Sequence, residues 1–276
     1  MNYLSNSKTF LSTLALSALI IFPAFGADPA SANMTAREIM EKVDAVDDGN
    51  NATQDMEMIL VDKNDNTRER LLRSYRRDAG PDGEDTESIM FFLSPADVKD
   101  TGFLTYDYDD INKDDDQWLY LPALKKTKRI ASSDKSGSFM GSDFTYADMT
   151  KRNIDNYDYK ILKEDEVDGH KVWVIESTPN NEKEMEETGY TKSVAFVRQD
   201  NFIVVRGVNW VKKGNKLKYM DIQKLEQIDG IWVGTEIMMK TTKGKKTEHK
   251  TIIRAKNVRF NQPLDDEIFS LRQLEK

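Results

Sequence analysis

From Met56 onward the chain alternates apolar and polar residues with a period of two for some two hundred positions, interrupted by turn chemistry. Side chains on a strand point alternately to opposite faces, so this pattern restricts the chain to strands with one face turned inward. In the first of them Met56, Met58 and Leu60 alternate with Glu57, Ile59 and Val61, and Lys63-Asn64-Asp65-Asn66 turns the chain into Arg68–Arg77. Further strands are predicted over Ser88–Leu93, Thr101–Tyr108, Gln117–Leu121, Lys126–Ile130, Tyr157–Glu166 and Lys171–Ser177. The series continues over Ser193–Arg198, Ile203–Val211, Leu217–Gln227, Ile231–Thr242 and Lys246–Arg259. Asp168-Gly169 and Asp229-Gly230 are two-residue hairpin signals, because both residues of such a turn need positive φ. About a dozen strands linked largely by hairpins make one antiparallel sheet long enough to curl.

Two helices flank the strands. Thr35-Ala36-Arg37-Glu38 has the spacing of a capping box, and Ile39, Met40, Val43 and Val46 keep a helical period to Asp47. Asp265–Leu274 closes the chain with Ile268, Leu271 and Leu274 on one side. No linker, repeat or low-complexity stretch divides the sequence. The expectation is a mainly β (α+β) protein with a leader at residues 1–26 and one domain over 27–276.

The leader reads as a cleavable secretory signal. Lys8 gives a weakly positive start, Leu11–Phe22 is apolar, and Ala24-Phe25-Gly26 places small residues at the cleavage site. Twelve residues span only about 18 Å of helix against a bilayer core of about 30 Å, too little for an anchor. There is no cysteine to acylate, so the mature protein is expected free in the periplasm. Removing 26 residues whose only charged side chain is Lys8 leaves 250 residues and takes the net charge from -8 to -9.

Composition excludes most chemistry. Zero cysteines rule out disulfide scaffolds, thiol enzymes and cysteine-ligated metals, and a 38% hydrophobic content rules out a polytopic membrane protein. The two histidines, His170 beside a turn and His249 in a Lys-rich strand, read as solvent-facing. No nucleophile elbow, phosphate loop, dinucleotide fingerprint or zinc-protease motif occurs, and Gly137-Ser138-Phe139-Met140-Gly141-Ser142 lacks the lysine of a phosphate loop. Asp110-x-Asn112-x-Asp114 lacks the glycine and the glutamate of a calcium loop. No catalytic residue, cofactor or metal site is expected, and the protein is read as not an enzyme.

Charge is uneven. Arg206 to Arg259 holds 14 Lys/Arg and 5 Asp/Glu, whereas Asp107–Asp116 holds six Asp against one Lys. The basic segment reads either as solvated strand faces or as a docking face for an acidic partner or anionic headgroups. Nucleic acid is disfavoured, since the basic residues lie in strands of an exported, acidic chain.

The positive feature is apolar and methionine-rich. Methionine adapts to variable shapes, and a curled sheet can leave a cavity on one side. The expected lining is Met56, Met58, Leu60, Ile89, Phe91, Trp118, Tyr120 and Met238; ordinary core packing is the other reading of the same residues. Gly137–Met149 interleaves glycine with Phe139, Met140, Phe144, Tyr146 and Met149, and reads as a mobile cover or as a rigid plug. Ser142 or Asp143 is placed to cap a short helix through Asp148. Lys125, Lys126, Lys128 and Arg129 either meet a lipid phosphate or partner, or neutralise Asp107–Asp116 across the sheet.

Three segments carry a family resemblance: Phe92–Leu104 (FLSPADVKDTGFL), Asp116–Ile130 (DQWLYLPALKKTKRI) and Gly137–Met149 (GSFMGSDFTYADM). With them the chain, roughly Thr35 to Leu274, resembles the outer-membrane lipoprotein-sorting-protein-like group, relatives of the periplasmic lipoprotein carrier. The resemblance implies an unclosed antiparallel β-barrel of about 11 strands wrapped over a few helices, with a hydrophobic cavity between them. It implies a non-catalytic, monomeric carrier of lipid or lipoprotein acyl chains, whose partners are an inner-membrane RND-type exporter or an outer-membrane acceptor. The alternative is a periplasmic adaptor of such an exporter without cargo of its own. The carrier of that group holds its lid with an arginine; Arg73, Arg76 and Arg77 are the candidates of similar location here.

Overall fold

The structure, a computed structural model, describes residues Met34–Lys276; the expected leader at residues 1–26 lies outside the described residues. Helix α1 (Ala36–Asp44) starts where the capping box requires. The Thr35 hydroxyl accepts from the Glu38 amide at 3.2 Å, and the Glu38 carboxylate accepts from the Thr35 amide at 2.7 Å. It ends at Asp44, earlier than the apolar period suggests. Beyond it the Asp47 side chain accepts from the Gly49 amide at 2.9 Å, a local turn that competes with helix.

Thirteen strands follow. They are β1 (Asn51–Val61), β2 (Thr67–Ala79), β3 (Asp85–Ser94), β4 (Gly102–Asp107), β5 (Asp116–Leu121) and β6 (Lys126–Arg129), then β7 (Tyr157–Val167) and β8 (His170–Pro179). After α2 (Glu182–Thr188) come β9 (Tyr190–Arg198), β10 (Val204–Val211), β11 (Lys216–Ile228), β12 (Ile231–Lys243) and β13 (Lys246–Phe260), and α3 (Leu271–Leu274) ends the fold. All thirteen predicted windows contain a strand, two more than the family pattern implies. At Asp168-Gly169 and Asp229-Gly230 both residues have positive φ, the turn that matches strand twist.

All strands form one antiparallel sheet in the order β6-β5-β4-β3-β2-β1-β13-β12-β11-β10-β9-β8-β7. The first and last strands pair in the middle, Met56 opposite Ala255 and Met58 opposite Ile253. The free edges are β6 and β7, so the sheet curls without closing. Residues 130–156, which join those edges, contain only short 3₁₀ turns, at Ser132–Asp134, Phe139–Gly141, Ala147–Met149 and Ile154–Asn156.

One face of the sheet, called inner here, carries α1 and this connecting segment. Ile39 of α1 packs with Trp173, Ile175 and Val197. The connecting segment packs on Met58, Leu72, Phe92, Phe103, Leu119 and Met239. The outer face of β2–β5 is covered too: Ile89, Leu104, Phe91, Trp118 and Tyr120 lie with Phe269 and Leu274 of the C-terminal segment. Arg77 pins that segment, pairing with Glu87 and Asp266 and lying 4.6 Å over the Phe269 ring.

Candidate functional site: an apolar cavity beside a polar row

The inner face of β9 and β10 carries unusually small side chains. Ala195 pairs with Gly207, which pairs with Met220 on β11, and Ser177 pairs with Ser193 beside them. A Cβ at Gly207 would make ordinary contacts, 3.7 Å to the Met220 methyl and 3.8 Å to the Val194 carbonyl. The backbone therefore does not demand glycine there; the missing side chain leaves volume. Met40 and Val43 of α1 bridge over it, and a cavity of about 590 Å³ results. Its walls are chiefly apolar, including Val204, Met220, Ile222, Ile237 and Met239, with Phe144 from the connecting segment. This size and lining suit an apolar ligand.

A row of polar residues runs across six strands on the same face. Ser177, Ser193, Asn209, Lys218, Thr241 and His249 are successive cross-strand partners from β8 to β13. The connecting segment docks its own polar groups on this row. Asp143, 1% exposed, accepts from the Thr241 hydroxyl at 2.5 Å, the Thr251 hydroxyl at 2.8 Å and His249 Nδ1 at 2.5 Å. The hydrogen bond to Asp143 raises the His249 pKa above its ordinary value, against the opposing effect of burial. Asp148 accepts from the Tyr190 hydroxyl at 2.8 Å, and burial together with this carboxylate pushes the Tyr190 phenol well up. Arg152, on the cavity wall, donates to Ser193 Oγ at 3.0 Å and Asn209 Oδ1 at 3.4 Å, and packs by the Tyr157 and Tyr190 rings. Among the described residues no carboxylate pairs with it.

The expected site residues sort into separate places. Met56, Met58 and Leu60 face inward, but they lie beneath the connecting segment and not in the cavity wall. Ile89, Phe91, Trp118 and Tyr120 are a correction: they occupy the outer face, under the C-terminal segment. Met238 is another, since it points away from its inner-face neighbours Ile237 and Met239 and takes a weak contact from Gln223 Nε2 at 3.9 Å. Phe139, Met140, Phe144, Tyr146 and Met149 do come together as one packed unit. Phe139 is 1% exposed, with ring centroids 5.0 Å from Phe103, 5.7 Å from Tyr146 and 6.2 Å from Phe92. That is the packing of a plug. No helix runs to Asp148: Met140 has φ of 51°, and Asp143 bonds to the sheet instead of capping.

The basic run sits on edge strand β6 and its preceding turn. Arg129 pairs with Asp116 across β5 and β6 at 2.9 Å, whereas Lys128 pairs at 3.3 Å with Asp134 of the connecting segment, outside the Asp107–Asp116 run, and Lys125 and Lys126 make no ion pair among the described residues. Arg73, Arg76 and Arg77 are engaged with Asp55, Asp48 and Asp78, and Glu87 and Asp266. The arginine that reaches the plug is Arg70, donating to the Met140 carbonyl at 2.5 Å and lying 5.9 Å over the Phe92 ring. His170 stands half-exposed, 3.7 Å from Asp200, but His249 is not the free surface group its Lys-rich context suggests. Among the described residues no group of three or more His, Cys, Asp or Glu is placed to hold a metal, and no helix is long and apolar enough to cross a membrane.

A family model described as that of an uncharacterized protein matches residues 84–276. No match is found among curated proteins. Among solved structures, a DUF1329 family protein from Desulfovibrio piger is 31% identical, with a TM-score of 0.79 over 90% of this chain and 99% of that one. A domain from Vibrio parahaemolyticus named for outer membrane lipoprotein sorting is also 31% identical, with a TM-score of 0.78 over 87% and 98%. A LolA superfamily protein from Nitrosomonas europaea shares the fold at 18% identity, with a TM-score of 0.65 over 87% and 100%. The unclosed sheet, the inward helix and the identity over nearly the whole described chain agree: this protein belongs to the DUF1329 family and shares the fold of a LolA superfamily protein.

Proposed function

We propose that the protein is a non-catalytic periplasmic carrier that holds an acyl chain of a lipid or lipoprotein in the cavity between α1 and the inner face. It passes this cargo between membrane partners, an RND-type exporter at the inner membrane or an acceptor at the outer one. The observation that carries the reading is the apolar cavity of about 590 Å³, kept open by Ala195 and Gly207 and bounded by the flexible side chains of Met40, Met220 and Met239. An adaptor that only docks has no use for such a space.

The energetics favour a carrier. At about 0.8 kcal/mol per methylene, moving a fourteen-carbon chain through water costs on the order of 11 kcal/mol. An apolar pocket removes most of that cost while remaining weak enough to release. Arg152, held by neutral acceptors at the wall, supplies the kind of polar group that orients a ligand in such a pocket. Organic extraction of the purified protein followed by mass spectrometry, with uptake of a fluorescent fatty acid in parallel, tests the reading. Co-purified lipid and saturable uptake are expected; an empty extract with no uptake refutes it.

A further inference from the structure

A second cavity, of about 310 Å³, lies beyond the polar row, toward the turn between β10 and β11. Its charge is lopsided once internal pairs are removed. Lys212 pairs with Glu186, Lys216 with Glu248 at 2.6 Å, and His249 with Asp143. Lys213 and Lys218 remain without a carboxylate partner among the described residues. Asp143, the one buried carboxylate in the wall, is already satisfied by His249 and two threonine hydroxyls.

Lys218 is the telling group. It is only 9% exposed and lines the cavity, its ammonium 5.5 Å from the centre of the Tyr190 ring. A buried ammonium without a counter-charge is costly, and such groups are normally paired. Here the main stabilising influences are the more distant Asp148 and Asp143, while burial pushes the lysine pKa down. The Ser136 side chain lines the same space. Strand register also brings Lys243 opposite Lys216 and Lys246 opposite Lys243, so unpaired lysines of the β12–β13 hairpin stand beside the cavity.

We propose that this cavity binds a phosphate-type oxyanion, with Lys218 as the buried counter-charge and Lys213 at the mouth. Two unpaired cations suit a phosphate monoester, phosphate diester or free phosphate, with bonds stronger than neutral ones because both partners are charged. Bound there, the anion touches the plug through Ser136 and Ser138, the turn after α2 through Gly189, and β11, joining three parts of the fold. The site is separate from the apolar cavity and does not depend on the cargo reading.

Titration calorimetry on the full mature protein at low ionic strength tests it, with inorganic phosphate in one arm and short-chain dihexanoyl phosphatidylglycerol in the other. One-to-one binding is expected in at least one arm, weakened about tenfold or more by Lys218→Met and by Lys213→Gln. Binding of phosphate alone assigns a free oxyanion, binding of the lipid alone a headgroup, and binding of both the phosphate group itself. Should Lys218→Met not fold, Lys213→Gln and the NMR shift of the Lys218 ε-carbon in the unaltered protein on ligand addition decide the matter. Absence of binding in both arms, or binding indifferent to Lys213→Gln with no Lys218 shift, overturns the proposal.

Discussion

Truncating Phe139 to alanine separates a plug from a loosely seated cover. The ring is 1% exposed and meets Phe92, Phe103 and Tyr146, each on or against a different part of the inner face. Replacing a fully buried phenylalanine by alanine costs about 3–5 kcal/mol, combining lost transfer energy with the void left behind. For a domain of this size each kcal/mol lowers Tm by roughly 2–4 °C, so the expected fall is on the order of 10 °C. Differential scanning calorimetry of the protein without ligand measures it, with far-UV circular dichroism to show that the strands survive. Hydrogen exchange supplies the mechanism: amides of residues 137–149 in the unaltered protein should open with the same free energy as the central strands. A segment that lifts away in the resting protein gives the opposite pair of results. A Tm loss below about 2 °C, less than one kcal/mol of stability, with fast exchange through Gly137–Met149, refutes the plug.

Three further outcomes are expected. Gly207→Phe projects a ring into the space that the glycine leaves open, and its Cβ fits without a clash, so fatty-acid uptake should be lost while Tm is kept; unchanged uptake would move the cargo site elsewhere. The Asp143 hydrogen bond raises the His249 pKa, with Glu248 assisting and Lys216 opposing. That contribution is complete below the ordinary histidine value of about 6.5 and is lost as pH rises through the raised value. The Tm gap between the unaltered protein and His249→Gln should therefore narrow from pH 6 to pH 9; a constant gap contradicts the coupling. Thr35→Ala removes the hydroxyl that accepts from the Glu38 amide, leaving only the backbone half of the capping box, and should cost about 1 kcal/mol, seen as faster exchange in α1 with the strands unaffected.

The strands were readable because alternation and Asp-Gly turns are local signals. Which side was hollow was not. β3 reads Ser-Ile-Met-Phe-Phe-Leu, apolar at both parities, because the plug covers Phe92 while the C-terminal segment covers Ile89 and Phe91. With both faces buried, alternation no longer marks the inside, and nothing along the chain shows that Ile89, Phe91, Trp118 and Tyr120 belong to the outer face. Met238 and Met239 are adjacent, so only one faces inward, and it is the pairing of Met239 with Met220 and Thr251 on the neighbouring strands that picks it out. The cavity itself depends on Ala195 and Gly207 meeting across two strands, a coincidence of register invisible along the chain. His249 looked exposed among lysines; its partner Asp143 lies 106 positions away. Helix α2 escaped because Glu182–Thr188 holds only one large apolar residue, although Asn181 and Gly189 mark its two ends.

The order of the strands has a mechanical consequence. Because β1 and β13 are zipped in the middle, the sheet is a ribbon whose loose borders are β6 and β7, and the chain that ties those borders together passes through the inside. Residues 130–156 thus act as a drawstring. Spreading the borders breaks no ladder between neighbouring strands and strains instead the ties across the inside, among them those of the cord at Arg70, Asp143 and Arg152 and the Lys183–Asp114 pair. The ribbon thus sets the cavity's floor, through Ala195 and Gly207, while the cord sets how far apart its borders stand.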